Sequence, residues 1–190
     1  MAWTAPMTAI AGAVYTAAQF NTFIRDNLNE TLPALATVSG NYFVTTATHH
    51  LAERTVYQDA IVVQNGFDST SYDNPDLAGL AGEAIVPGPT VTCFPGTTAL
   101  VVVGGRIGGG STSTQSVKMS WEASGASSIS AADEWAAGCV GFGGSTTFAY
   151  DSRAFLCTAL TEGINIFTAK YAVSSTPGYA SARSLLVMPF

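Results

Sequence analysis

The alternation of apolar and polar positions predicts that most of the chain forms β-strands. The strongest pattern lies at the C-terminus, where residues 164–173 and 182–190 form two long runs with a two-residue period. A cluster of turn-forming residues at 174–178 separates them. We therefore predict that the chain ends in a pair of strands joined by a turn.

The last of these strands is apolar on both faces. Successive side chains of a strand point to opposite sides of the sheet. One side carries Leu185, Val187 and Pro189, and the other carries Leu186, Met188 and Phe190. A surface strand of an isolated antiparallel sandwich normally has one polar face. This strand is therefore expected to be covered on both sides, in part by another subunit.

Residues 41–160 contain short apolar runs separated by turn signals, without helical periodicity. The strongest run, residues 97–107, includes four consecutive apolar residues at 100–103. The pair Asn65-Gly66 predicts a turn after a strand at 56–63. Loops are predicted at 108–116 and 124–130. Short strands with frequent turns and no interleaved helices are typical of a β-sandwich or jelly roll. The predicted fold is therefore mainly β, an antiparallel sandwich over residues 39–190.

The first 38 residues follow a different pattern and are predicted to form a separate N-terminal segment. Trp3 and Pro6 lie in an extended arm, and Thr16 with Gln19 matches a capping box at the start of a short helix. That helix has an apolar stripe, formed by Phe20, Phe23, Ile24 and Leu28. A helix this short is marginal alone. We expect its stripe to dock on its own domain, a sister chain or another protein.

Composition favours a protein with much of its surface buried in an assembly. Charged residues make up 11% of the sequence, against about 25% in ordinary soluble domains. The formal net charge of −6 argues against binding nucleic acid or an anionic membrane, and no apolar run is long enough to span a bilayer. The N-terminus has no charged region of the signal-peptide type. The three cysteines are expected to be reduced and buried.

Candidate chemistry in the sequence is sparse. Asp133 and Glu134 precede Trp135, a combination that occurs in sugar-binding sites, but adjacent carboxylates cannot straddle a glycosidic bond. His49 and His50 point to opposite faces of any strand, so within one chain they do not share a metal ion. Neither pattern predicts a catalytic residue, a metal site or a cofactor. The sequence therefore indicates a protein that is not an enzyme.

Two stretches of the sequence resemble virion structural proteins of tailed bacteriophages. The N-terminal stretch contains Trp3, Pro6, residues 14–21 and residues 25–28. It is similar to the N-terminal module of head decoration, head-fibre and minor tail proteins. The C-terminal stretches at 167–171 and 182–190 resemble the closing strands of trimeric jelly rolls in such particles, which are similar to C1q and tumour-necrosis-factor sandwiches.

The resemblance implies a non-enzymatic protein of the virion surface, made in the host cytoplasm. It further implies that residues 1–38 dock on the major capsid protein, or on tail proteins, and that residues 39–190 form a homotrimer. The expected trimer interface comprises Tyr171, Leu186, Met188 and Phe190. Two alternatives are a tail or tail-fibre protein that binds a host glycan, and a C1q-like soluble binding module.

Overall fold

The computed structural model describes residues 7, 8, 12, 14, 16–29, 35–47, 50–109, 115–140, 147–175 and 177–190. The chain forms two compact units, Met1–Thr55 with Phe190, and Val56–Pro189. The predicted boundary at residue 38 lies earlier than the division between these units. The difference arises because a β-hairpin, which the sequence analysis assigned to the sandwich, belongs to the first unit.

The first unit contains a short helical segment that begins as the sequence predicts. Helix α1 spans Ala17–Phe20, a π-helical turn spans Asn21–Arg25, and helix α2 spans Asp26–Asn29. The predicted capping box is present. The amide of Gln19 donates to Thr16 Oγ1 at 3.2 Å, and the amide of Thr16 donates to Gln19 Oε1 at 3.0 Å. These bonds satisfy amides that have no partner within the first helical turn.

The hairpin of the first unit consists of β1 (Tyr42–Ala47) and β2 (His50–Arg54), paired antiparallel. Its second strand was not predicted, because its polar residues lack a clear apolar alternation. Glu53 in β2 accepts backbone hydrogen bonds from Thr37 and Val38. Hydrogen bonding, first from the Thr37 hydroxyl and then from the Val38 amide, lowers the pKa of the Glu53 carboxyl.

The second unit is an antiparallel β-sandwich, as predicted. Its described strands are β3 (Tyr57–Ile61), β4 (Asn65–Phe67), β5 (Thr90–Cys93), β6 (Ala99–Gly109), β7 (Ser116–Gly125), β8 (Ala137–Val140), β9 (Thr147–Cys157), β10 (Asn165–Val173) and β11 (Gly178–Pro189). One sheet has the order β5-β10-β7-β8. The other has the order β3-β11-β6-β9, with β4 also paired to β11. The chain crosses repeatedly between the two sheets, which is the topology of a jelly roll.

The two C-terminal strands do not form the predicted hairpin. Strand β10 pairs with β5 and β7 in the four-stranded sheet, whereas β11 pairs with β3, β4 and β6 in the five-stranded sheet. The turn between them therefore carries the chain from one sheet to the other. The inner faces of both strands therefore pack into the same core.

Aromatic side chains fill the space between the sheets. Trp121 is fully buried, with ring centroids 5.4 Å from Trp135 and 5.7 Å from Phe167. Tyr171 is also fully buried, and its ring lies 5.1 Å from that of Phe67. The prediction that placed Tyr171 in a subunit interface is therefore wrong. Its neighbour Lys170 points out of the sandwich, so Tyr171 points into the core.

The predicted turn at Asn65-Gly66 is instead a buried part of the sheet. Both residues lie in β4 and pair with β11. A Cβ atom on Gly66 would lie 3.0 Å from atoms of Leu77 and Tyr179, so a larger residue here would require these side chains to shift. The Asn65 side chain is buried as well. It donates to the Ala84 carbonyl at 2.8 Å and accepts from the Val86 amide at 3.1 Å.

Candidate functional site

The outward side of the five-stranded sheet carries a continuous group of apolar side chains. On the inward side of β6 and β11, Val101, Val103, Leu185 and Val187 are fully buried. The residues between them therefore point outward. Together with outward residues of β9 they form a surface that we call the apolar face, which comprises Leu100, Val102, Ala154, Leu156, Leu186 and Met188.

The strand register places the side chains of the apolar face in two adjacent rows. In one row Leu186 lies opposite Val102, which lies opposite Ala154. The other row has the order Met188, Leu100 and Leu156. Leu156 is 53% exposed. The residues of both rows that lie on β6 and β11 are half-buried. A contiguous exposed apolar patch of this kind marks an interaction surface in soluble proteins.

A shallow cavity of about 350 Å³ lies beside the apolar face on the same sheet. Its lining includes the bare backbone of Gly104 and the side chains of Ser152 and Ser184. Beyond it along the strands, the Arg106 guanidinium lies 4.1 Å from the ring centroid of Phe148. The apolar character of this sheet thus gives way to polar groups towards one end.

The outward side of the four-stranded sheet is polar and carries both lysines of the sequence. Lys170 on β10 forms an ion pair with Glu122 of β7 at 3.2 Å and donates to the side chain of Asn74 at 3.1 Å. Lys118 on β7 forms an ion pair with Asp133 at 2.6 Å. The two outward sides of the sandwich therefore differ in character.

Around Asp133, three elements meet in a group that we call the Asp133 cluster, formed by Tyr72, Lys118 and Asp133. The Tyr72 hydroxyl donates to Asp133 Oδ1 at 2.7 Å, and Lys118 Nζ donates to Asp133 Oδ2 at 2.6 Å. These hydrogen bonds, the Lys118 bond foremost, lower the pKa of Asp133. Burial, followed by the hydrogen bond to Asp133, raises the pKa of Tyr72.

A buried arginine occupies the β-bulge of β11. The register with β6 shifts between Ser181 and Ser184, and Ala182 adopts a φ of 46°. Arg183 lies on the same face of β11 as Leu185 and Val187, so it points inward, and it is fully buried. Its guanidinium donates to the carbonyls of Val63 and Val86 at 3.2 and 3.3 Å. It also donates to the side-chain oxygen of Asn65 at 2.8 Å. Sequence reasoning did not identify this residue.

Of the predicted docking residues, Trp3 and Pro6 lie outside the described residues. The others lie in the helical segment of the first unit. Phe20 and Leu28, at the ends of the helical stripe, are 50% and 61% exposed. Between them, Phe23 and Ile24 are half-buried.

Two of the predicted interface residues, Leu186 and Met188, lie on the apolar face. Phe190 directly follows β11 and is 37% exposed, whereas Tyr171 lies in the core. The sequence analysis missed Leu100, Val102 and Leu156. The run at residues 100–103 is apolar on both faces, which is the same signal that identified the terminal strand.

The described residues show little that resembles a reaction centre. Among them, no three His, Cys, Asp or Glu side chains come together in a way that could hold a metal ion. The three cysteines are free thiols, and burial raises the pKa of Cys93 to about 11. Trp135 packs on Trp121 and donates to its carbonyl at 3.1 Å. Trp135 is therefore partly buried against the core.

None of the described helices is long and apolar enough to cross a membrane.

Comparison with known proteins gives only distant likenesses. No family model matches the chain, and no curated protein matches it. Among solved structures, the chain is similar to the Eiger TNF from S. frugiperda, with 8% identity and a TM-score of 0.45 over 72% of this chain and 92% of that chain. It is also similar to a chain in the structure of infectious bursal disease virus Gx strain, with 13% identity and a TM-score of 0.38 over 76% of this chain and 35% of that one. The jelly-roll assignment therefore rests on the sheet topology itself.

Proposed function

We propose that this protein is a non-enzymatic structural protein of a tailed-phage particle, a capsid decoration or head-fibre protein that forms a homotrimer at the virion surface. The observation that carries the proposal is the apolar face on one side of a sandwich whose other side is polar. The proposal also draws on the resemblance of the N-terminal and C-terminal stretches to virion proteins. In this account the protein is made in the host cytoplasm and assembles there.

The partner that covers the apolar face is a second copy of the same chain. Every copy carries the same uncovered face, and a closed ring of copies covers all of these faces at once. Burying the exposed half of a side chain such as Leu156 contributes roughly 1 kcal/mol. Six apolar side chains on each copy then contribute a few kcal/mol, and a trimer repeats this contribution at three interfaces.

The trimer interface comprises Leu186, Met188 and Phe190 together with Leu100, Val102 and Leu156. Because few residues of the chain are charged, little of its surface depends on hydration. The four-stranded sheet, with both lysines and their carboxylate partners, then faces solvent. This orientation buries apolar surface and leaves the ion pairs of Lys118 and Lys170 outside the interface, so that assembly adds no desolvation penalty to them.

The N-terminal segment docks the trimer on the particle, with the major capsid protein as its partner. Trp3 and Pro6 provide the arm, and Phe20, Phe23, Ile24 and Leu28 provide the helical stripe. Support comes from the exposure of Phe20 and Leu28 and from the compactness of the first unit as a body of its own. A tail protein as partner would place the chain on the tail instead.

The function is tested on particles by antibody labelling and by truncation. Gold-labelled antibody against the protein should decorate the head of the particle. A chain without residues 1–32 should keep the circular dichroism spectrum of a β-sandwich, but it should no longer bind to particles that lack the protein. The untruncated chain, added to the same particles, is the control. Labelling confined to the tail would contradict capsid decoration, and normal binding by the truncated chain would contradict the docking role.

A further inference from the structure

The Asp133 cluster forms one wall of a cavity on the polar side of the sandwich. The cavity has a volume of about 230 Å³ and lies where the ends of β7 and β10 meet the loop around residue 72 and the 3-10 turn Asp133–Trp135. Its described lining residues are Thr70, Tyr72, Ser116, Lys118, Asp133, Ala172, Val173 and Ser174. The space is about the size of a single sugar ring.

The polar groups of this cavity have hydrogen-bonding capacity that their internal contacts do not use. A carboxylate offers about four acceptor sites, and Asp133 uses one for Tyr72 and one for Lys118. The Asp133 side chain is 65% exposed, so its remaining sites are open to a ligand. The Lys118 ammonium has three donors, of which Asp133 takes one.

The charge and shape of the cavity favour a neutral ligand with several hydroxyl groups. Lys118 is paired with Asp133, so the wall carries no uncompensated charge that would attract an ion. Ala172, which points outward on β10 beside Lys118 and is 6% exposed, lies at the floor of the cavity, whereas the side chain of Val173 points into the core. A sugar ring has a matching character, with hydroxyl groups around its edge and C–H groups on its face. Paired donors and acceptors such as Lys118 and Asp133 suit adjacent ring hydroxyls.

We propose that this cavity binds one neutral sugar residue of a glycan. Asp133 accepts hydrogen bonds from the ring hydroxyls, Lys118 donates to them, and the C–H face of the ring lies over Ala172. The site does not depend on the function proposed above. It lies on the side of the sandwich opposite the apolar face, so a trimer would present three such sites at once and would bind a glycan-covered surface with increased avidity.

Saturation-transfer NMR tests the proposal on the full chain. The probes are glucose, galactose, mannose, rhamnose and N-acetylglucosamine, each titrated into the millimolar range. We expect at least one of them to bind, and Lys118→Gln and Asp133→Asn to weaken that binding by at least about tenfold, because each removes hydrogen bonds that involve a charged group. Lys170→Gln is the matched control, since Lys170 lies on the same sheet but does not line the cavity. It should change the dissociation constant by less than about twofold.

Thermal unfolding and circular dichroism establish that the variants are folded. Tyr72→Phe replaces Asp133→Asn if the latter does not fold, and it should weaken binding as well, because the Tyr72 hydroxyl holds the carboxylate in place. The proposal is overturned if none of the five sugars binds. It is equally overturned if Lys118→Gln leaves the affinity unchanged, or if Lys170→Gln weakens binding as much as Lys118→Gln does.

Discussion

Arg183 is a buried cation without a carboxylate partner among its hydrogen-bond acceptors. Its acceptors are two backbone carbonyls and the amide oxygen of Asn65. Its Nε is buried and has no hydrogen-bond partner among the described residues. Burial raises the pKa of Tyr171, and the positive charge of Arg183 opposes that shift. The arginine therefore joins three separate segments, at the cost of burying a charge.

We predict that Arg183→Lys destabilises the fold more than Arg183→Met. Lysine keeps the buried charge but cannot reach all three acceptors, so we expect a loss of about 3 kcal/mol. Methionine removes the charge and the hydrogen bonds together, and we expect a loss of about 1–2 kcal/mol. Urea unfolding at neutral pH and a single protein concentration measures the free energy of unfolding of both variants. If the lysine variant is the more stable of the two, the bonds rather than the charge dominate at this site.

The sequence predicts individual residues well where neighbouring polar residues fix the face of a strand. Leu186 and Met188 point outward as the alternation of β11 implies. Tyr171 was wrongly placed in the interface, although the adjacent Lys170 marks the outward face of β10. Arg183 is different. Its alternation with Leu185 and Val187 already places it on the inward face, but nothing in the local sequence marks the acceptors that it reaches at Val63, Asn65 and Val86.

At the scale of elements, the N-terminal helical segment begins where its local sequence predicts. A capping box depends only on residues three positions apart, and Thr16 with Gln19 forms it as predicted. The segment then changes from α-helix to a π-helical turn at Asn21–Arg25, which no local pattern indicated. Such a short helix has little stability of its own, so its cap contributes a large share of that stability.

We predict that Thr16→Ala increases amide exchange in the helical segment while the β-sandwich remains protected. Loss of the cap costs about 1 kcal/mol, which corresponds to roughly fivefold faster exchange of the amides at Gln19 and Phe20. Hydrogen exchange with mass spectrometry measures this on the full chain. Thr22→Ala is the control, because Thr22 is exposed on the same segment and does not cap it. Equal exchange in the two variants would show that the cap has no special role.

Strand positions were more predictable than strand pairing. The long strands β6, β10 and β11 lie close to the predicted runs, because a two-residue period is a local property. The pairing of β10 and β11 with different sheets depends on contacts between residues far apart in sequence. The buried strand at Asn65-Gly66 was missed for the same reason, because the turn signal of this pair is overridden by its pairing with β11.

At the scale of the whole molecule, the sandwich has two unlike outward sides, and this asymmetry determines its expected assembly. The apolar face carries no Lys, Asp or Glu in its two rows, whereas the opposite sheet carries the ion pairs of Lys118 and Lys170. A chain that remained monomeric would expose Leu156 and its neighbours to water. The sequence analysis predicted an exposed apolar surface from β11, because both faces of that strand are apolar. In the structure, residues of β6 and β9 also belong to this surface.

We predict that Leu156→Lys prevents trimer formation and that Thr92→Lys does not. Both positions are exposed in the single chain, so neither substitution disturbs the core. Only Leu156 lies on the apolar face, where a buried ammonium in each of three interfaces costs several kcal/mol apiece. Sedimentation velocity at tens of micromolar should show trimers for the natural chain and for Thr92→Lys, and monomers for Leu156→Lys. A natural chain that sediments as a monomer, or a Leu156→Lys variant that still forms trimers, would show that the apolar face is not the subunit interface.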